Sequence, residues 1–164
     1  MQSLKRIAVY GGSFNPITIA HLNIIKNIIN KKLADEIILI PCGNRNDKKS
    51  LDTSSLHRLN MCKISIEENF DKTFPIKIDD IEIKKKRALS TFNLISIYEK
   101  KYSKDSIYFV VGSDLLLDIP KWENENLDWY KKKKFIIVKR PNFIIPLEWY
   151  KYNIKILENN SNIN

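Results

Sequence analysis

The sequence predicts an α/β fold, because short apolar runs alternate with amphipathic segments along its 164 residues. Residues 36–40 contain an unbroken apolar run from Ile37 to Ile40, which is typical of a parallel strand covered on both faces. Connections between parallel strands form right-handed crossovers, which place helices over the sheet. We therefore predict a doubly wound parallel sheet of five or six strands with helices on both faces.

The predicted strands are short and mostly apolar. Residues 106–111 form the most apolar of them, and residues 75–83 alternate apolar and polar side chains at Ile76, Ile78 and Ile81. Parallel strands of this kind are joined by helices of a dozen or so residues, which matches the spacing here. The predicted strands are 6–10, 36–40, 75–83, 106–111 and 135–138, with a candidate sixth at 154–157.

The predicted helices lie between these strands. Residues 21–32 place Leu22, Ile25 and Ile29 on one face. The second helix starts near Ser54 or Ser55, either of which can cap its free amides. A third helix is predicted at 90–101, and shorter ones at 115–119 and near 127–132. The residues predicted to face inward from the second helix are Leu56, Leu59, Cys62, Ile66 and Phe70.

Composition supports a single domain. Hydrophobic residues make up 43% and charged residues 29% of the chain, which are ordinary proportions for a globular protein. A chain of this length buries about 68–70% of the surface that it exposes when unfolded, enough for a substantial core. We expect one α/β domain over residues 1–158, followed by a polar tail at 159–164.

The sequence carries no signal for membranes or secretion. It has no apolar run of about 18 residues, the length needed to cross a bilayer, and residues 1–6 lead directly into the first strand. We therefore expect a cytoplasmic protein with no membrane partner. Cys42 and Cys62 have no metal-ligand spacing, so we expect two reduced thiols and no metal site.

The net charge of +9 points to anionic partners, which include nucleotides as well as nucleic acids. Basic residues cluster at 84–87 and 131–134, beside predicted strands. No aromatic side chains interleave with these lysines, as a base-stacking surface would require. The pattern therefore favours solvated edges and disfavours nucleic-acid binding.

Two glycine-containing strand ends mark the expected ligand site. In the Rossmann-like strand order, the first and fourth strands lie side by side, and ligands bind beyond their carboxyl ends. The first strand is followed by Gly11 and Gly12, and the fourth by Gly112, Ser113 and Asp114. We expect these two strand ends to form an open crevice.

The loop from Gly11 to His21 has the composition of a phosphate-binding loop. Glycines let backbone amides approach a phosphate, Ser13 adds a hydroxyl, and the helix start that follows favours anions. Thr18 and His21 are three residues apart and share one face of the helix start. Both can donate hydrogen bonds to the phosphates of a nucleotide such as ATP, although a lone histidine here is also compatible with a cap or a core residue.

The full string Gly-Ser-Phe-Asn-Pro-Ile-Thr at residues 12–18, with His21, resembles the signature of the nucleotidyltransferase superfamily. It is most similar to that of nicotinamide- or nicotinate-mononucleotide adenylyltransferases. Further segments resemble the same family in the same order along the chain. These are His57-Arg58-x-x-Met61, Thr91-Phe92-Asn93 (with Asn where the family has Asp), Gly112-Ser113-Asp114-Leu115-Leu116 with Trp122, and Val138-Lys139-Arg140-Pro141.

The resemblance implies a role for each matched residue. His21 and Thr18 would hold the α- and β-phosphates of ATP, and Asp114 would bind a ribose. Trp122 would stack on the pyridine ring of a pyridine mononucleotide, and Thr91 would contact its amide or carboxylate. The remaining implied nucleotide-binding residues are Gly11, Gly12, Ser13, Phe14, Lys48 or Lys49, Gly112 and Arg140.

Several of these residues also have a purely structural interpretation. Asp114 can cap a helix, Trp122 can be core, and Arg140 and the two loop lysines can be solvated surface residues. His57, beside Arg58, is expected at the surface. Mg²⁺ is expected only through ATP, and a homo-oligomer remains compatible with the sequence.

The family continues into an Ile-Ser-Ser-Thr-x-x-Arg segment that grips the triphosphate, whereas this chain ends at Asn164. We expect 159–164 to mark a truncation point, so the sequence does not predict whether a chain that ends here is active. Ala20 replaces the usual glycine and adds only a methyl group. Two alternatives to the pyridine-nucleotide activity remain: adenylyl transfer to phosphopantetheine, or a non-catalytic nucleotide or RNA binder with the same fold.

Overall fold

A parallel sheet forms the centre of the computed structural model, which describes residues 4–43, 54–85, 87, 89–123 and 128–158. Within these residues the sheet has six strands in the order β3-β2-β1-β4-β5-β6, and every neighbouring pair is parallel. The strands are β1 (Arg6–Gly12), β2 (Glu36–Pro41), β3 (Ile76–Ile78), β4 (Ser106–Gly112), β5 (Lys134–Lys139) and β6 (Asn153–Glu158). The predicted α/β fold is confirmed, including the sixth strand.

Helices cover both faces of this sheet. They are α1 (Ile19–Asn30), α2 (Ser55–Asn69), α3 (Ile81–Lys84) and α4 (Thr91–Lys101). Short 3₁₀ helices follow at Ser113–Leu115, Ile119–Trp122, Trp129–Lys132 and Leu147–Lys151. Ser54 caps α2 by accepting a hydrogen bond from the His57 amide, which settles the choice between the two serines.

Two hydrophobic clusters sandwich the sheet, one on each face. Ala8 and Tyr10 of β1 pack with residues of α1 and α2, while Ile7 and Val9 pack with residues of α4. This separation follows from the period of a strand, in which successive side chains point to opposite faces. The helix layers therefore hold β1 at the centre of the sheet, with its carboxyl end open toward the loops.

The third strand is shorter than predicted. It ends at Ile78, and residues 81–84 form the short helix α3 instead of continuing the strand. The Asp79 carboxylate accepts a hydrogen bond from the Ile81 amide at 3.0 Å, which turns the chain. Two consecutive aspartates, Asp79 and Asp80, favour such a turn over a strand because their side chains bond to nearby amides.

Other boundaries also differ from the predictions. The single helix expected at 115–119 is two 3₁₀ helices, since Pro120 near the start of the second one lacks the amide that a continuing helix would need. The helix expected near 127–132 is a 3₁₀ helix from Trp129, and residue 127 lies outside the described ranges. Leu56, predicted to face the core, is 61% exposed because Arg58, Leu59 and Cys62 form the buried face of α2.

Candidate active site

The carboxyl ends of β1, β4 and β5 converge on one edge of the sheet. β1 pairs with β4, and β4 with β5, in parallel register, so the segments after Gly12, Gly112 and Lys139 emerge side by side. This confirms that the first and fourth strands are neighbours. A crevice between such strand ends is where open α/β sheets bind ligands.

The loop after β1 takes a sharply bent path. Phe14 has φ of 45° and is only 2% exposed, and the following Asn15–Pro16 peptide is cis. A Cβ on Gly12 would lie 3.1 Å from the Phe14 ring, so the glycine leaves room for the ring to pack inward. The Phe14 ring in turn meets Tyr10 and His21 edge-on, with centroids 5.4 and 5.1 Å away. Phe14 therefore packs against the His21 imidazole and helps to hold it in place.

Hydrogen bonds within the helix start orient the His21 ring. Its Nδ1 accepts the backbone N–H of Thr18 at 2.9 Å, and the Thr18 hydroxyl lies 3.0 Å from the same nitrogen. Because Nδ1 accepts, the proton of the neutral ring sits on Nε2. Thr18, predicted as a phosphate contact, thus also determines which nitrogen of His21 donates.

The charge state of His21 follows from its surroundings. Burial lowers the pKa of His21 below its usual value of 6.5, and the positive charge of Arg140 lowers it further. The ring is therefore neutral at pH 7 and presents one N–H donor. Burial also raises the pKa of Tyr10 to about 12, so this neighbour stays protonated.

Asp114 and Arg140 form an ion pair at the ends of β4 and β5. Arg140 Nε lies 3.1 Å from Asp114 Oδ1, an oxygen that is buried and makes no aligned hydrogen bond. A Cβ on Gly112 would come within 2.3 Å of Asp114 Oδ1 and 2.6 Å of Arg140 Nε. The glycine is therefore required for the pair. The positive charge of Arg140 also lowers the His21 pKa, which is an electrostatic link between the two halves of the site.

Arg58 lies within this site, a position that the sequence did not predict, although its segment resembles the family. It is 1% exposed, and its Nη1 donates to the Ser13 carbonyl at 2.8 Å and to Cys42 Sγ at 3.4 Å. Arg58 thereby connects α2 and the segment after β2 to the loop after β1, which is the predicted phosphate-binding loop. The signal was available in the sequence, because Arg58 lies four residues before Cys62 on the apolar face of α2.

A second buried contact holds the segment that follows β2. The Gly43 amide donates to Glu82 Oε1 at 3.0 Å, and Glu82 is 5% exposed. A Cβ on Gly43 would lie 2.6 Å from the backbone oxygens of Glu82 and Arg87. Close backbone approach explains the glycine here.

The remaining predicted residues are not all brought together. Thr91 is the first residue of α4, and Trp122 ends a 3₁₀ helix with 36% of its surface exposed. Among the described residues, neither makes a hydrogen bond or a ring contact with His21, Asp114 or Arg140. Lys48 and Lys49 lie outside the described residues. His57 is exposed, as predicted.

Within the described ranges, the structure has neither a metal-binding cluster nor a helix that could span a membrane. These residues include no group of three or more His, Cys, Asp or Glu side chains arranged to hold a metal ion. No helix among them combines the length and apolar character needed to cross a bilayer. Cys42 and Cys62 are both buried, unpaired with another cysteine, and burial raises the pKa of Cys62 to about 11.

Comparison with known proteins identifies similar chains. The cytidylyltransferase-like family model matches residues 9–153. The probable nicotinate-nucleotide adenylyltransferase of Clostridium tetani is 38% identical over 141 residues, which are 85% of this chain and 68% of that protein. The nicotinate-nucleotide adenylyltransferase of Bacillus subtilis is 30% identical over 141 residues, 85% of this chain and 72% of that protein.

A solved structure is similar as well. Plasmodium falciparum nicotinic acid mononucleotide adenylyltransferase complexed with NaAD superposes with a TM-score of 0.80 at 34% identity. The match covers 93% of this chain and 74% of that one. The same Plasmodium enzyme complexed with APC gives a TM-score of 0.76.

Proposed function

Since this chain belongs to the cytidylyltransferase-like family and, within it, to the nicotinate-nucleotide adenylyltransferases, we propose that it transfers the adenylyl group of ATP to a pyridine mononucleotide. The products are deamido-NAD or NAD, together with pyrophosphate, a step of NAD biosynthesis. Relatives named for the nicotinate form favour nicotinate mononucleotide as the acceptor. They also favour this activity over transfer to phosphopantetheine and over a non-catalytic role.

One observation carries the proposal from the geometry. A neutral His21 with its proton on Nε2 lies in the first turn of α1, and the positive charge of Arg140 acts on it. A neutral N–H donor, a guanidinium and backbone amides together match an anion whose charge grows during the reaction. Leaving pyrophosphate is such an anion.

The proposed chemistry is a direct displacement. The 5′-phosphate of the mononucleotide attacks the α-phosphorus of ATP, and the bond to the bridging oxygen of pyrophosphate breaks. The attacking phosphate is already ionised at pH 7, so it needs no general base. The side chains then contribute positioning and charge stabilisation, as in other phosphoryl-type transfers. No covalent enzyme intermediate is required.

Each side chain has a proposed task in this displacement. His21 donates from Nε2 to the α- or β-phosphate, while Thr18 holds the ring and adds its own hydroxyl. Arg140 neutralises the triphosphate and Asp114 accepts from a ribose hydroxyl. The proposed contacts beyond this cluster are the backbone of Gly11, Gly12, Ser13, Phe14 and Gly112 at the phosphates, Lys48 or Lys49 at the phosphates, and Thr91 and Trp122 at the pyridine ring.

Several finer points are proposed along with the activity. Mg²⁺ enters as part of the ATP substrate, held by phosphate oxygens and water, as is usual for this ion at nucleotides. The protein works in the cytoplasm as one domain over residues 1–158, and a homo-oligomer is compatible with that role. Omission of Mg²⁺ or addition of a chelator should abolish turnover.

The activity can be tested by supplying ATP and Mg²⁺ with nicotinate mononucleotide or nicotinamide mononucleotide, and measuring both pyrophosphate and the dinucleotide. The full-length gene product is used. We expect pyrophosphate release that depends on the mononucleotide, and faster turnover with the nicotinate form. Phosphopantetheine serves as the negative acceptor. Turnover with phosphopantetheine alone, or none with any acceptor, would contradict the proposal.

A further inference from the structure

Ser113 is a buried polar residue beside the candidate site, and its hydroxyl makes a hydrogen bond with the backbone of Arg140. It is 4% exposed, and its Oγ accepts the backbone N–H of Arg140 at 2.8 Å. The bond joins the residue after β4 to the residue after β5. A buried hydroxyl is retained at low cost only when it is hydrogen-bonded, and this bond meets that need.

The bond lies where the sheet no longer holds the chain. The pairing of β4 with β5 ends at Gly112 opposite Val138, two residues before Arg140. Beyond that point the Arg140 side chain is 50% exposed, so packing constrains it weakly. The Ser113 hydroxyl therefore extends the connection between the strands to the residue whose guanidinium enters the site.

We propose that Ser113 is a positioning residue, which anchors the backbone of Arg140 so that the guanidinium reaches Asp114. This role rests on the proposed function, since Arg140 matters for turnover only if the site binds a triphosphate. The anchoring itself is a property of the structure without substrate. Gly112 and Ser113 thus act together: the glycine makes room for the ion pair, and the serine sets its position.

His21 reports on the position of Arg140. The titratable groups that act on its ring are Arg140 from the end of β5, whose charge lowers the His21 pKa, and Tyr10 from β1, whose ring lies against it. Thr18, at the start of α1, bonds to Nδ1 but carries no titratable group. Tyr10 stays neutral, so Arg140 is the charge among them that changes the His21 pKa. If Arg140 moves away, the His21 pKa should rise.

The experiment measures the His21 pKa by NMR without substrate. The chain has two histidines, so a His57→Gln background leaves His21 as the sole imidazole. Ser113→Ala should raise the His21 pKa toward the value found in Arg140→Gln. The double variant should match Arg140→Gln alone. Ser96→Ala, which removes a serine bond to the Phe92 carbonyl on α4, should leave the pKa unchanged.

Kinetics give a second readout. Ser113→Ala should raise the KM for ATP by about three- to tenfold, the size expected from one lost hydrogen bond, with a smaller change in kcat. A His21 pKa unchanged by Ser113→Ala, or a shift that adds fully to that of Arg140→Gln, would overturn the positioning role. The NMR result does not depend on turnover, so an inactive protein with the expected pKa shifts would refute only the proposed function.

Discussion

The two halves of the site are built in different ways. The His21 half comes from one continuous segment, in which Thr18 orients a ring three residues further on and Phe14 supports it. The Asp114–Arg140 half joins residues 26 positions apart in sequence, because it needs the ends of β4 and β5 to lie side by side. The first half is encoded by local contacts, whereas the second exists only once the sheet has formed.

This difference explains where glycine is needed. In the local half, a Cβ on Gly11 would meet its nearest neighbours at 3.8 Å, an ordinary contact, and one on Gly12 would lie 3.1 Å from the Phe14 ring, a tight contact but no collision. In the long-range half, a Cβ on Gly112 would collide with both members of the ion pair. Substitutions can therefore damage one half and leave the other in place, which makes the comparison testable.

The largest effect is expected from His21→Ala in the local half. Loss of the Nε2 donor should lower kcat by about 10²–10³-fold, the usual effect of removing one donor to developing negative charge. His57→Ala, which removes the exposed imidazole of α2, is the matched control. Steady-state kinetics and circular dichroism should show two folded proteins, of which only the first has lost activity. Equal kcat in both variants would remove His21 from the mechanism.

A smaller effect is expected from Gly112→Ala in the long-range half. The new methyl group should separate Asp114 from Arg140 and lower kcat/KM for ATP by about tenfold to a hundredfold. The free energy of unfolding should change little, because the atoms that the methyl group meets are the ends of two flexible, partly exposed side chains. Gly11→Ala is the steric control for stability, measured by urea denaturation. If Gly112→Ala kept wild-type kinetics, the ion pair would be irrelevant to turnover.

Arg58→Met tests whether the local half is truly self-contained. The loop after β1 depends on a side chain of α2, so the variant should lose about 1–3 kcal/mol of unfolding free energy and raise the KM for ATP. Lys63→Met, at an exposed position of the same helix, removes a charge without a buried contact. Urea denaturation and kinetics on both variants should separate them. Similar values for the two would mean that the loop holds its shape without Arg58.

The smallest effect concerns the stability contributed by His21 as pH changes. Because the folded pKa is lower than 6.5, the unfolded chain binds more protons below that pH. The stability associated with His21 is therefore complete above pH 6.5 and decreases as pH falls through the folded pKa. Urea denaturation between pH 5 and 8 should show a flatter profile for His21→Gln than for the wild type. Identical slopes for His21→Gln and the wild type would contradict the shift.

Much of the fold was predictable because its signals are local. Apolar runs, helix periods and serine caps located most strands and helices within a residue or two, as at Ser54. The errors came where local signals conflicted. At 75–83 the alternation of apolar and polar residues favoured a strand. In the structure the Asp79 side chain bonds to the Ile81 amide, and the strand gives way to a turn and the helix α3. Leu56 was predicted to be a core residue, but it is exposed because Arg58 lies on the buried face of α2 instead.

The sequence by itself determined the parallel α/β fold, the adjacency of β1 and β4, and the loop that leads into α1 and His21. These follow from residue order, since strand periodicity, glycine and a helix start act over a few neighbouring positions. Tertiary structure alone decided that Arg58 is buried beneath Ser13, and that Ser113, Asp114 and Arg140 meet. Such contacts join residues far apart in the chain, so they depend on how strands pair and layers pack.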